Sequence, residues 1–201
     1  SGNQSVTGTI DAGTALDASA SDDGRIQVLN TGGVVTFNSA IGQTNRLASI
    51  LVSGGAHSKF EATVNADRID IDGVAEFSIA KAISSGNATV DFGSDSQIIV
   101  GSNISADSVV VSAAGVTAAS VVEVILPNNF TTGAITLFDT NSQTTSGATI
   151  TLRDTALTDY SDAVAGSGKD RTVTATAKTT AATASELSIT TSEALALKNA
   201  N

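Results

Sequence analysis

The chain has 201 residues, with 10 Lys or Arg against 20 Asp or Glu, so its net charge is −10. This balance argues against nucleic-acid binding, because the neutralisation of phosphates needs clustered Lys and Arg. The chain has no Cys, which excludes a disulfide scaffold, thiolate metal sites and thiol catalysis. Aromatic residues make up only 3% of the chain, which leaves little to build the walls of an enzyme pocket.

Short segments along the chain alternate β-branched and polar residues, and Gly, Asn, Asp and Ser fill the spaces between them. This pattern is typical of strands joined by tight turns. It predicts an all-β chain from about residue 5 to about residue 178. The predicted strands lie at 26–28, 34–37, 50–52, 69–71, 88–92, 98–100, 109–111, 121–126, 134–138, 148–152 and 171–177.

Two internal repeats favour a β-solenoid. Residues 64–71 and 104–111 share the pattern aliphatic, Asn or Ser, Ala, Asp, any, aliphatic, any, aliphatic. Glycines also precede a series of Phe strands. Repeats of this kind predict coils that stack so that inward Val, Ile and Phe residues line up from coil to coil. The alternative is an antiparallel β-sandwich, whose strands also recur at short intervals. The Phe residues in the series are Phe37, Phe60, Phe77 and Phe92.

The pattern changes after Pro127, where longer alternating strands are joined by polar loops. We therefore predict β-solenoid coils over 1–127 and a β-rich cap over 128–201, since an uncovered solenoid end is prone to aggregation. Near the C-terminus, Ser192 precedes a helix-forming stretch and is predicted to be the N-cap of a short helix at 193–200. An earlier helical turn is predicted at 182–187.

The segment Gly-Val-Val-Thr-Phe-Asn-Ser-Ala-Ile-Gly at 33–42, followed by a Leu and then a short apolar strand, resembles a known type of repeat. It is similar to repeats in the passenger domains of autotransporters, particularly rickettsia-type surface antigens, over about 32–112. The resemblance implies a right-handed β-solenoid, exported to the outside of a Gram-negative cell. The chain departs from that family in being short for a passenger domain and in lacking a translocator barrel.

Two carboxylates, Asp70 and Asp72, are the candidate metal ligands. Residues at i and i+2 face the same side of a strand, so this pair is placed to bind Ca²⁺ or to act as a catalytic carboxylate pair. The alternative, which we favour, is that both face solvent outside Ile69 and Ile71. We predict no cofactor other than Ca²⁺ and no catalytic residues, so that the protein is not expected to be an enzyme.

Two further motifs are interpreted as structural. His57 is the single His and is predicted to lie at the surface in a Gly-Gly turn. If the segment is a strand, the neighbouring Ser58 points the opposite way, so no nucleophile–base pair forms. The Gly-Ser-Gly-Lys sequence at 166–169 lacks the full pattern of a phosphate-binding loop and is predicted to be a hairpin loop.

The prediction for function is a non-catalytic extracellular structural protein that assembles with copies of itself into a surface layer or fibre, or serves as a passenger stalk. An N-terminal assembly strand would add to the sheet of another subunit. No apolar run is long enough to span a membrane. The residues of the predicted assembly strand are Val6, Thr7, Gly8, Thr9 and Ile10.

Two alternatives stay open. The first is an adhesin domain that contacts a host surface or the outer membrane and binds host protein or glycan. Its only plausible aromatic anchors are Tyr160 and Phe130. The second is a carbohydrate-active β-helix enzyme, which needs at least two carboxylates that converge in a groove.

Overall fold

The computed structural model describes residues 2–13, 24–94, 96–118, 121–140, 149–164 and 169–200. Within these ranges, strands make up almost all of the regular structure and two short helices follow them. In chain order, the elements are β1 (Gln4–Val6), β2 (Arg25–Val28), β3 (Val34–Phe37), β4 (Leu47–Val52), β5 (His57–Phe60), β6 (Ala66–Ile71), β7 (Val74–Phe77), β8 (Ile83–Phe92), β9 (Gln97–Val100), β10 (Val109–Ala118), β11 (Val121–Ile125), β12 (Gly133–Thr140), β13 (Thr149–Leu152), β14 (Thr158–Val164), β15 (Arg171–Ala177), α1 (Thr180–Leu187) and α2 (Thr191–Asn199).

The strands form two sheets that face each other across one core. Sheet A has the order β1-β3-β5-β7-β9-β11-β13, and sheet B has the order β2-β4-β6-β8-β10-β12-β15-β14. Consecutive strands of the chain therefore alternate between the sheets up to β13, and their neighbours in each sheet pair in parallel. The result is a β-solenoid of about five turns. The β-solenoid prediction is confirmed, and the antiparallel sandwich is excluded.

The core is built from residues that stack in register from coil to coil. In sheet A, Phe60 lies between Phe37 and Phe77, with ring centroids 5.4 and 5.8 Å apart and nearly parallel rings. The predicted column is correct for these three residues and wrong for Phe92. Phe77 pairs instead with Val100, while Phe92 lies in sheet B with its ring 5.4 Å from that of Phe138.

The repeat that the sequence suggests between residues 64–71 and 104–111 is not the repeat of the structure. Its alignment matches Val64 with Ile104, but Val64 stacks on Ile83, and Ile83 stacks on Val111. The coils differ in length, so two segments with the same pattern do not occupy the same place in their coils. A residue pattern can therefore recur without marking equivalent register positions.

The C-terminal part of the chain ends the parallel stacking. Parallel pairing continues past the predicted boundary at 127, because β12 joins β10 and β13 joins β11. Antiparallel pairing begins with β15 on β12 and β14 on β15, and these two strands form the predicted β-rich cap. The division of the chain into 1–127 and 128–201 stays a prediction.

Two short helices complete the chain. Thr190 is the N-cap of α2: its hydroxyl accepts a hydrogen bond from the Glu193 N–H, and the Glu193 carboxylate accepts one from the Thr190 N–H. The short terminal helix is therefore confirmed, but the prediction of Ser192 as its N-cap is wrong. Thr190 stands three residues before Glu193, which is the spacing that this reciprocal cap requires. The turn predicted at 182–187 lies within α1, whose N-cap is Thr179.

Candidate assembly end

The strand that the sequence predicts as an assembly strand is paired along one edge with its own chain. β1 pairs with β3, so that Val6 lies beside Phe37. Residues 7–9 lie outside the strand, and Ile10 returns as an isolated bridge to Ile41. β1 is an edge strand of sheet A, and no strand in the described ranges pairs with its outer edge. That edge can accept a further strand, so the assembly strand stays a prediction.

Beside β1, the core ends in a hollow of about 430 Å³. Its lining includes Val28, Val35 and Phe37, which are at most 7% exposed, and the half-buried Val6 and Ile26. The other lining side chains are apolar or amides, and none is charged. The end of the coil stack therefore presents an apolar surface.

The second edge strand at this end is β2, the first strand of sheet B. Leu29 follows β2 directly, lines the hollow and is 63% exposed, more than any other large apolar side chain in the described ranges. We call β1, β2 and the hollow that they border the N-terminal end. An exposed apolar surface flanked by two open strand edges is typical of an interaction site.

The opposite end of sheet B is protected. Its edge strand β14 carries Asp159 and Asp162, and charged side chains on an edge strand disfavour pairing with another chain. Asp162 forms an ion pair with the buried Arg171. Lys178 lies 3.4 Å from Asp159 and also contacts Glu186 at the end of α1. The hydrogen bond to Glu186 is the largest of the effects that raise the pKa of Lys178.

The two residues predicted as adhesin anchors pack against each other within this cap. The rings of Tyr160 and Phe130 are stacked with centroids 6.3 Å apart, and the Tyr160 hydroxyl donates to the Phe130 carbonyl at 3.1 Å. Phe130 is only 4% exposed. Burial raises the pKa of Tyr160. Because this pair contributes to the core, it does not offer an exposed aromatic anchor.

Asp70 has a different carboxylate neighbour from the one that the sequence suggests. On the outer face of sheet B, Asp70 lies in register with Asp91 on the adjacent strand. The Arg68 guanidinium lies 2.7 Å from Asp70 and 4.0 Å from Asp91, and Thr117 donates to Asp91 at 2.7 Å. The hydrogen bond to Asp70 raises the pKa of Arg68. The two carboxylates therefore share one cation of the chain itself, Arg68.

Asp72 lies beyond the end of β6 and is exposed. Its carboxylate lies close to Gly93, where a Cβ would be only 2.2 Å from the Asp72 Oδ1 atom. The described ranges contain no group of three or more His, Asp or Glu side chains that could hold a metal ion. Binding of Ca²⁺ at Asp70 and Asp72 stays a prediction.

His57 lies at the start of β5 and not in the preceding turn, which corrects the sequence interpretation. Its Nε2 atom is 3.6 Å from the Glu76 carboxylate, on the outer face of sheet A. Ser58 is fully buried on the inner face, so the two side chains point in opposite directions as expected. Of the motif at 166–169, only Lys169 lies within the described ranges. The flanking strands β14 and β15 form the expected hairpin.

Comparisons with known proteins add no assignment. No family model matches the chain, and no match was found among curated proteins or solved structures. The resemblance to autotransporter repeats therefore stays a prediction. In the described part of the chain, no helix is long and apolar enough to cross a membrane.

One feature of the sequence marks the N-terminal end. The predicted strand at 26–28 precedes Phe37, which is the first residue of the Phe series. No described strand lies on the outer side of β1 or β2, so the apolar residues of this coil lack a described cover there. Ile26, Val28 and Leu29 could have been assigned to the hollow on this basis.

Proposed function

We propose that this protein is a non-catalytic structural protein that associates with copies of itself through the N-terminal end. The observation that supports the proposal is the contrast between the two ends of the solenoid. One end presents the apolar hollow between two strand edges that no described strand covers. At the other end, sheet B closes in a charged antiparallel cap, and only sheet A ends in an uncovered edge strand, β13. Burial of apolar surface is the main favourable contribution to association.

The proposal places the protein on the exterior of a Gram-negative cell, as a surface layer, a fibre or a passenger stalk. This part rests on the resemblance of residues 32–112 to autotransporter repeats. It also rests on the composition, in which Ser and Thr occupy positions that Lys and Glu take in many intracellular proteins. A protein that works by assembly needs neither a catalytic pocket nor a cofactor.

Light scattering and electron microscopy of the purified protein over a range of concentrations test the proposal. We expect particles larger than the 20.0 kDa chain, with a size that grows with concentration. A monodisperse monomer at high concentration would contradict self-association. We expect EDTA to leave the particles unchanged, because Arg68 already forms ion pairs with Asp70 and Asp91. Loss of the particles in EDTA would instead indicate a Ca²⁺-dependent assembly.

A further inference from the structure

The geometry of the N-terminal end restricts what can cover it, and this inference rests on the proposed function. A complete cover must offer an apolar centre against Leu29 and Phe37. It must also offer hydrogen-bonding strand edges to β1 and β2, one on each side of that centre. A single helix can supply the apolar centre but has no strand edge to pair with β1 or β2. A single strand can pair with only one of the two sheets. The end of another β-solenoid offers all three features.

A second copy of this chain has such an end. Because the chain passes along one sheet and back along the other, β1 and β2 run in opposite directions. A two-fold rotation about an axis perpendicular to the solenoid turns the second copy end to end and brings its strands antiparallel to those of the first. Antiparallel pairing is a stable arrangement for strands of two subunits, and a two-fold contact uses the same surface on both.

We propose that two copies associate through their N-terminal ends in a closed, two-fold symmetric dimer. None of the described side chains that line the hollow is charged, so these residues bring no like charges together across the contact. The C-terminal end is a poorer partner, because β14 presents Asp159 and Asp162 along its edge and the helix pair follows β15. The dimer carries a C-terminal cap at each of its outer ends, so this contact alone gives a two-chain unit, and a layer or fibre requires further contacts between such units.

Single cysteines test the symmetry of this contact, because the natural chain has none. In the Leu29→Cys variant, a two-fold contact brings each thiol close to the same thiol of the partner. A short bis-maleimide reagent should then convert the associated protein to covalent dimers. Leu195→Cys is the matched control: it replaces another exposed leucine, on α2, and should give no covalent dimer after the same treatment, although it still associates.

Each outcome of the cross-linking decides the proposal. Covalent dimers from Leu29→Cys with none from Leu195→Cys support it. If Leu29→Cys and Gln27→Cys both associate by light scattering but neither gives a covalent dimer, the two-fold contact is wrong and the proposed function stands. If the unmodified chain is monomeric throughout, both fail. Gln27→Cys, also exposed beside the hollow, repeats the test if the change at Leu29 itself prevents association.

Discussion

Gly42 shows how closely the chain passes itself at a corner of the solenoid. Its φ of 68° lies in the left-handed region, and a Cβ there would lie 2.0 Å from the Asn65 carbonyl oxygen. For a residue with a side chain, the left-handed conformation alone costs about 1–2 kcal/mol. We therefore expect Gly42→Ala to lower the free energy of unfolding, measured by urea titration, by at least that amount.

Gly54 provides the control for this prediction. It lies in a turn without a positive φ, and its nearest contact for a Cβ is the Asp72 carbonyl oxygen at 3.8 Å. Gly54→Ala should change the free energy of unfolding by less than about 0.5 kcal/mol. Equal losses in the two variants would show that the close approach at Gly42 is not the cause.

Glu193 makes the start of α2 sensitive to acid. Hydrogen bonds from the backbone and the hydroxyl of Thr190 lower the pKa of its carboxyl from the usual 4.5. A carboxyl with a lowered pKa stabilises the folded helix at pH values above 4.5, and that stabilisation is lost as the pH falls through the lowered pKa. We expect the protection of the α2 amides, measured by NMR as the exchange rate relative to the intrinsic rate at each pH, to fall only below pH 4.5. In Glu193→Ala, this protection should already be low at neutral pH and show no such transition.

At the scale of the elements, stacked rings join β3, β5 and β7. Phe60 is 1% exposed and has a ring above and below it. Truncation of a buried Phe typically costs about 3–5 kcal/mol, so Phe60→Ala should lower the free energy of unfolding by that much in urea titration. Leu195→Ala, at a position that is 50% exposed, should cost less than about 0.5 kcal/mol. A small loss for Phe60→Ala would contradict the stacked core.

Most strands could be predicted from the sequence, because alternation of β-branched and polar residues requires only local information. The segments 34–37 and 171–177 were predicted with the bounds of β3 and β15. β14 was not predicted, because Asp159 and Asp162 interrupt its apolar pattern. Asp162 pairs with Arg171 on β15, and Asp159 pairs with Lys178 in the segment after β15. The residue pattern of β14 alone does not show that these cations lie beside it.

Register was the part of the fold that the sequence did not specify. Phe92 follows the same spacing trend as the earlier Phe residues but belongs to the other sheet. Two sheets with the same alternation and coils of unequal length allow more than one alignment. The neighbour of Asp70 was missed for the same reason, since Asp91 reaches it only through the pairing of β6 with β8.

At the scale of the whole molecule, the net charge of −10 opposes the apolar contact that we propose. Two copies repel each other at long range, and salt screens this repulsion because the Debye length falls to about 3 Å at 1 M. We expect association, measured by light scattering, to strengthen from low salt to about 0.5 M NaCl. Dissociation by added salt would indicate a contact held by ion pairs.

The assembly site could be predicted only in part. The sequence predicts an assembly strand at 6–10, whereas the N-terminal edge strand covers residues 4–6, so that only Val6 is common to both. The hollow was not predicted, because it arises where β1 and β2 of different sheets end the same stack. The hollow depends on how far β1 lies from β2 across the core, and the residue pattern of neither strand predicts that distance.

Sedimentation velocity of three proteins tests the central claim, that the N-terminal end is the site of self-association. Leu29→Arg places a charge at the hollow, and Leu195→Arg makes the same change at an exposed leucine of α2. We predict that the unmodified chain and Leu195→Arg sediment as dimers at the same concentrations, while Leu29→Arg stays monomeric. Dimerisation of Leu29→Arg that is as strong as that of the unmodified chain would contradict the account.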